Sequence, residues 1–353
     1  MKFAHFAHVW GKKGMTPGER YGQLWRELQL CDELGFEYAF CVEHHFSPHE
    51  SWMSAPSLFA VGGGMRTKRL RLGGMGYVVP IHHPVRLAEE IALADQMLDG
   101  RLEIGLVSGV SPQMFVPFRK DYATRRDKTI DFVKTIKSTF ANGNKLGDVR
   151  LSIGPMQRPH PPIWLETRDP ATLEFCAKEG LHTGYFMVFS RPETAAKYRV
   201  YLDQWKKAGH KSKPNIAYST VIYVDETDEK AMKNGLKDAA AAYRGFFPAT
   251  GDAAQLKAFQ ETQARRYDDV GDSFAAAAIR GLLDPDHLLA TDMIVVGSPD
   301  TVMKKLKALA VEGLFNTYLG EFNFGELPEE NVMRSIRLFG TEVLPKLRDF
   351  EPF

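Results

Sequence analysis

Tyr38-Ala39-Phe40-Cys41-Val42-Glu43-His44-His45-Phe46 is the stretch from which the rest of this chain can be read. Its first five residues form an unbroken apolar run, as in a parallel strand covered on both faces, and the run stops at a carboxylate and two imidazoles. α/β enzymes collect their chemistry at such strand ends, where the frame is rigid. Histidine titrates nearest neutrality, so a residue of this kind can move protons or ligate a metal. Neighbours on a strand point to opposite faces, so only one of His44 and His45 can face a shared pocket. A metal would need a third ligand, and the nearest candidates, Glu43 and His49, lack a ligand spacing; no metal is expected.

Outward from this stretch the chain alternates strand and helix. Residues 3–9 read as a first strand, followed by a helix whose apolar residues Tyr21, Leu24, Trp25, Leu28, Cys31 and Leu34 keep helical spacing up to Gly35. A helix over 55–65 leads to a strand over 70–79 containing Gly73, Gly74 and Gly76. Glycines in a buried strand forfeit packing, so they mark a bulge, a bend, or a surface where a flat ligand meets the backbone. A helix opens at Pro84, strands are predicted over 102–107, 163–165, 184–189, 216–224 and 317–319, and helices over 125–140, 170–180, 192–208, 228–243 and 329–347. Eight alternations define a (β/α)8 TIM-type barrel, an α/β fold, as one domain over residues 1–353. Residues 245–292, between strands 7 and 8, exceed any ordinary α/β connection and form an insertion. It reads either as a lid, with Gly271 and Gly281 as hinges around the charged Arg265–Asp272 stretch, or as a plain surface excursion.

Bulk composition narrows the function. A net charge of +1 offers no basic field for a polyanion, so no nucleic-acid partner is expected. No window approaches the roughly 18 apolar residues of a membrane helix, and Met1–Phe6 enters a strand without a signal segment; no membrane partner and a cytoplasmic location are expected. Cys31, Cys41 and Cys176 lack the spacing of a zinc site or disulfide framework.

Several motifs in one order resemble the bacterial luciferase-like flavin-dependent monooxygenases. They are Met1-Lys2-Phe3, Leu34-Gly35-Phe36, Glu43-His44-His45-Phe46, Leu72-Gly73 through Pro80, His83-Pro84-Val85-Arg86-Leu87-Ala88-Glu89-Glu90, Asp95 to Gly109 and Pro159 to Leu165. Val296-Gly297-Ser298-Pro299, Gly325-Glu326-Leu327-Pro328 and Arg337-Leu338-Phe339 follow.

The resemblance implies reduced FMN bound at the C-terminal strand ends, supplied by a separate flavin reductase. Dioxygen would add at the flavin C(4a) carbon to oxidise a small, apolar organic substrate. His44 matches the acid–base position, and Met75-Gly76 a non-prolyl cis peptide beside the flavin ring. Arg126, Glu166, Thr167 and Thr172 match the phosphate cluster, with Arg125 replacing Arg126 if the register slips by one. Ser108 stands where many relatives carry an arginine, so FMN binding is expected to be weaker than theirs. Trp164 is a candidate to flank the flavin ring or a core residue. His8, Trp10 and Phe115 are candidate substrate contacts, and a homodimer through the helices after Ala55 and from Pro84 is expected. Two alternatives stay open: a deazaflavin-dependent oxidoreductase, and a non-catalytic flavin-binding partner subunit.

Overall fold

The computed structural model describes residues 1–48, 50–244 and 253–353. Its main sheet is built from parallel strands: β1 (Lys2–Ala7), β2 (Tyr38–Cys41), β3 (Arg71–Val78), β4 (Leu102–Val107), β5 (Ile163–Leu165), β6 (Thr183–Phe186), β7 (Ile216–Val224), β8 (Ile294–Gly297) and β9 (Thr317–Glu321). β1 lies between β2 and β9, and pairing continues through β2, β3, β4 and β5 on one side and through β9, β7 and β6 on the other. β5 and β6 meet at the Trp164–His182 bridge, where the Leu165 and His182 amides donate to His182 and Ile163 carbonyls at 2.9 Å each. Eight strands thus run around a (β/α)8 barrel.

The ninth strand corrects the sequence reading, which passes from strand 7 to Thr317–Leu319. β7 is nine residues long: its first four pair with β6, and the run Val221–Val224 pairs with β8 on the same side. An over-long strand leaves a row of backbone groups unpaired, and the apolar Ile294-Val295-Val296 run supplies the partner.

The helices follow their punctuation. Pro17–Leu34 starts at a Thr16–Glu19 capping box and ends at Gly35 in the left-handed region. The insertion, where described, is three helices, Ala253–Asp268, Ser273–Gly281 and Pro285–Ala290, the last two capped by Asp272 and Asp284. Residues 245–252 of the lid reading lie outside the described residues. Gly271, at φ +77°, joins two of these helices, whereas Gly281 ends a helix against the His287 ring, where a Cβ would stand 2.1 Å away. The terminal helix predicted over 329–347 is divided: Glu329–Leu338, a π turn at Phe339–Val343, and Leu344–Leu347, in which Pro345 has no amide to donate.

The glycines of β3 answer to backbone contact. The Met75–Gly76 peptide is cis, the β3–β4 register shifts between Met75 and Tyr77, and a Cβ on Gly76 would lie 2.5 Å from the Gly105 carbonyl oxygen. At the opposite end of the barrel, the Met1 ammonium donates to the carbonyls of Leu347, Arg348 and Phe350 at 3.0, 2.6 and 2.8 Å.

Candidate active site

Three strand ends converge at the barrel mouth. Past β2 the chain stays extended, and the His44 amide donates to the Met53 carbonyl at 2.9 Å, fixing the start of the following loop. That loop returns Glu50 to His44, whose Nδ1 hydrogen-bonds the Glu50 carboxylate. Glu50 Oε1 also faces His8 Nε2, beyond β1, at 3.7 Å. His8 Nδ1 meets Glu321 Oε2, at the end of β9, at 2.6 Å, while Glu321 Oε1 accepts from the Trp10 indole at 2.5 Å and the His8 amide at 3.1 Å. Ser51 Oγ donates to the His8 carbonyl at 2.6 Å and locks the loop against β1. Glu50 and Glu321 are buried; the His44 side chain keeps 33% of its surface exposed.

Burial alone would pull His8 down, but Glu321 in contact and Glu50 nearby hold it above its ordinary value. Burial would likewise raise Glu50, yet the His44 and His8 imidazoles keep it below the usual carboxylate range. His8, His44 and Glu50 bring three possible ligand atoms within 4.8 Å, so His44 does have neighbours at metal-like distances, which its local sequence does not show. The His44–Glu50 pair is in hydrogen-bond contact, which fixes one imidazole nitrogen against a buried carboxylate.

Glu43 faces elsewhere. Its carboxylate accepts from the Val78 amide at 2.6 Å, from His45 Nε2 at 3.1 Å and from His82 Nε2 at 2.8 Å. Burial would raise this group; the His45 and His82 contacts hold it below the usual range. His45 thus braces the barrel wall, as its strand parity requires, with its ring 4.9 Å from Phe118. His83 is exposed, and its neighbour His82 carries the bond.

The β5 end holds a second group. Both carboxylate oxygens of Glu166 are buried without a partner among the described residues, and burial pushes the group up to about 8. Thr167 Oγ1 accepts from the Asp169 amide at 3.1 Å. Asp169 caps helix Pro170–Glu179, accepting from the Thr172 amide at 2.9 Å and hydroxyl at 2.7 Å; against burial, these bonds and, less, Arg126 hold its carboxyl below the ordinary value. Arg168 pairs with Asp272 of the insertion at 2.8 Å, bonds Thr194 Oγ1 at 2.8 Å and stacks on Phe189; its Nη2 is buried without a partner among the described residues. Ser108, beyond β4, is half-buried, and Arg126 is exposed.

Three sequence candidates are buried. Trp164 is fully buried in the barrel core, its indole donating to Glu103 at 2.6 Å between Tyr38, Phe40 and His182. Packed among these rings, Trp164 takes the core alternative of its sequence reading. Phe115 is sealed with Val78 and Ile81 in a satellite core against Tyr122. Trp10 is buried and gives its N–H to Glu321. Glu50, Glu321, His82 and Arg168 were missed; only Glu321, at the tip of an apolar strand, carried a local signal.

The fold is a (β/α)8 barrel with a cluster of imidazoles and carboxylates at the ends of three strands, and comparison with known proteins fixes the family. Residues 1–317 match the model of the luciferase-like monooxygenases, and the chain is a member of that family. The alkanal monooxygenase alpha chain of Aliivibrio fischeri is 24% identical over 363 residues, covering 99% of both chains. The fold is shared with the monooxygenase RslO1 of Streptomyces bottropensis, at TM-score 0.82 and 24% identity over 98% of this chain and 99% of that one. It is shared also with the oxygenating constituent of 3,6-diketocamphane monooxygenase from Pseudomonas putida, a type II Baeyer–Villiger enzyme in complex with FMN (TM-score 0.76, 18% identity, 98% and 99% coverage).

A flavin fits the residues at the mouth. The unpartnered Arg168 N–H and Glu166 carboxyl are polar atoms that a phosphate or the polar edge of a ligand would satisfy.

Proposed function

We propose that this chain is the oxygenase of an FMN-dependent monooxygenase, receiving reduced FMN from a separate flavin reductase and oxidising a small apolar organic substrate. The observation that carries this reading is His44: a half-buried imidazole on a rigid strand end, one nitrogen held by a buried carboxylate and its ring still open to the mouth. Reduced flavin supplies the electrons that activate dioxygen. Met75 and Gly76 would lie along the ring, while Ser108, Arg126, Thr167, Thr172 and the backbone at Glu166 would hold the phosphate, with Arg168 added to that set. His44 holds or moves a proton at Nε2, and the insertion excludes water, which would otherwise divert activated oxygen to free peroxide. A cytoplasmic homodimer completes the reading; Leu58, Met65, Leu93 and Met97 are exposed on the two helices expected at its interface.

An anaerobic titration with reduced FMN, run beside a reduced deazaflavin and followed by mixing with oxygen, tests the proposal. Saturable FMN binding with product formation that His44→Ala abolishes, while flavin still binds, is expected. Preference for the deazaflavin would move the assignment to the deazaflavin-dependent class; binding of FMN without oxygen consumption would leave a carrier subunit.

A further inference from the structure

We propose that Glu50, His8 and Glu321 are positioning residues that fix His44 as its Nδ1-protonated tautomer, so that Nε2 is the nitrogen presented at the barrel mouth. This rests on the reading of His44 as the acid–base group. An ionised carboxylate only accepts hydrogen bonds, so the His44 nitrogen touching Glu50 must carry the proton. Neutral His44 then has its lone pair on Nε2. The other two residues hold Glu50 in that role. His8 bonds Glu321 through Nδ1 at 2.6 Å and turns Nε2 toward Glu50 at 3.7 Å, and the Trp10 and His8 N–H groups anchor Glu321 in turn.

The charge count follows from the geometry. Among the described residues, the titratable groups facing His8 are Glu321, Glu50 and His44, whose ring lies 5.3 Å away. With a carboxylate facing each nitrogen of His8, its charged form is favoured and offsets part of the negative charge that Glu50 and Glu321 bring to the set. When Nε2 takes a proton from a bound ligand, the new N–H bond uses the Nε2 lone pair, the electrons of the broken bond stay on the ligand, and the imidazolium faces the Glu50 carboxylate. Donation reverses the step. The arrangement follows the logic of an imidazole oriented by a buried carboxylate, with a second imidazole–carboxylate pair behind it. Glu50 lies six residues beyond His44, whereas Glu321 comes from the far end of the chain, so three strand ends must close before the tautomer is set.

Nitrogen-15 NMR of histidine-labelled, flavin-free protein reads the tautomer directly and does not depend on the cofactor assignment. In the wild type His44 should appear as Nδ1–H; in Glu50→Ala it should revert to the Nε2–H majority of free histidine. Glu321→Gln, which removes charge without removing volume, should give a mixture. In turnover assays Glu50→Ala should lose about 10- to 100-fold in kcat with flavin Kd changed less than twofold. Nε2–H in the wild type, or an unchanged tautomer in both variants, would overturn the proposal. So would one equivalent of Zn²⁺ shifting the His8 and His44 resonances together, since that would make the cluster a cation site. If the tautomers behave as stated and FMN fails to bind, the positioning role stands and the flavin assignment falls.

Discussion

Glu43 sits one residue before the candidate acid–base group and does entirely different work, which shows how little sequence adjacency means at a strand end. Its carboxylate ties β2 to the Val78 amide at the end of β3 and to two imidazoles. Glu43→Gln should lower stability by about 2–4 kcal/mol, the cost of breaking a buried ion pair with its hydrogen bonds. The pH dependence has two limbs. Glu43 is held below its ordinary value of 4.5, so its contribution is present above pH 4.5 and is lost as pH falls through the lowered folded value. His82, despite burial, is held above 6.5 by Glu43, so its contribution is complete below pH 6.5 and is lost as pH rises through the raised value. The difference in melting temperature between wild type and variant should therefore be largest between pH 4.5 and 6.5; a gap that kept widening above pH 7 would contradict the assignment. A second residue-scale expectation concerns Ser108. Ser108→Arg restores a fixed cation near the β5 end, where Glu166 has no partner among the described residues, and should tighten reduced-FMN binding by about tenfold or more in a fluorescence titration. His44 was legible as a candidate because an apolar run stops just before it at Glu43. Glu321 and His8 were not recognisable as its supports, because 313 residues separate them and only the closed barrel brings them together.

At the scale of elements, punctuation residues were the reliable signal. Gly35, Pro84 and Pro170 each mark a helix end found in the structure, and Thr16 with Glu19, Asp169 and Ser298 supply the caps seen there. Patterning failed where a choice depended on partners: β8 is four residues whose role is set by the spare length of β7, and Pro345 did not reveal the π turn before it. The insertion shows the same lesson. Its caps at Asp272 and Asp284 are local, but its attachment to the barrel is not: Arg168 bonds Asp272, and Phe189 packs against Tyr267 at 6.0 Å. Asp272→Ser retains a capping oxygen for the Ala275 amide while removing the ion pair. Hydrogen exchange over 253–290 should then accelerate about tenfold with the barrel strands unchanged, and more of the oxygen consumed should appear as free peroxide. Unchanged exchange would mean that this pair does not hold the insertion in place.

For the molecule as a whole, the (β/α)8 architecture was readable from alternation alone, since each strand buries both faces and each helix one. The core inventory was less so, and Trp164 shows why: a tryptophan near a strand end is a wall of the mouth or a plug of the core depending on one layer of height, which sequence does not encode. Assembly is tested at this scale. Leu93 and Met97 on helix Pro84–Met97 are about half exposed, and Leu58 and Met65 beside them more so. Leu93→Glu should convert a dimer to a monomer in size-exclusion chromatography with light scattering, leaving the melting transition of the barrel cooperative; a wild type that is already monomeric would remove the dimer from the reading.

The pairing of β8 with β7 also bears on how such a chain can change over evolutionary time. Val224 lies beside Gly297, the Asp225 amide donates to the Gly297 carbonyl at 3.2 Å, and Asp228 accepts from the Ser298 amide at 2.6 Å and the Thr301 hydroxyl at 2.9 Å. The chain between Val224 and Gly297 leaves and re-enters the barrel through one clasp. For a flexible segment whose ends are pinned together, doubling its length costs only about 0.6 kcal/mol in closure entropy. Descendants of this chain can therefore lengthen, shorten or exchange that segment while the register of the eight barrel strands is left untouched.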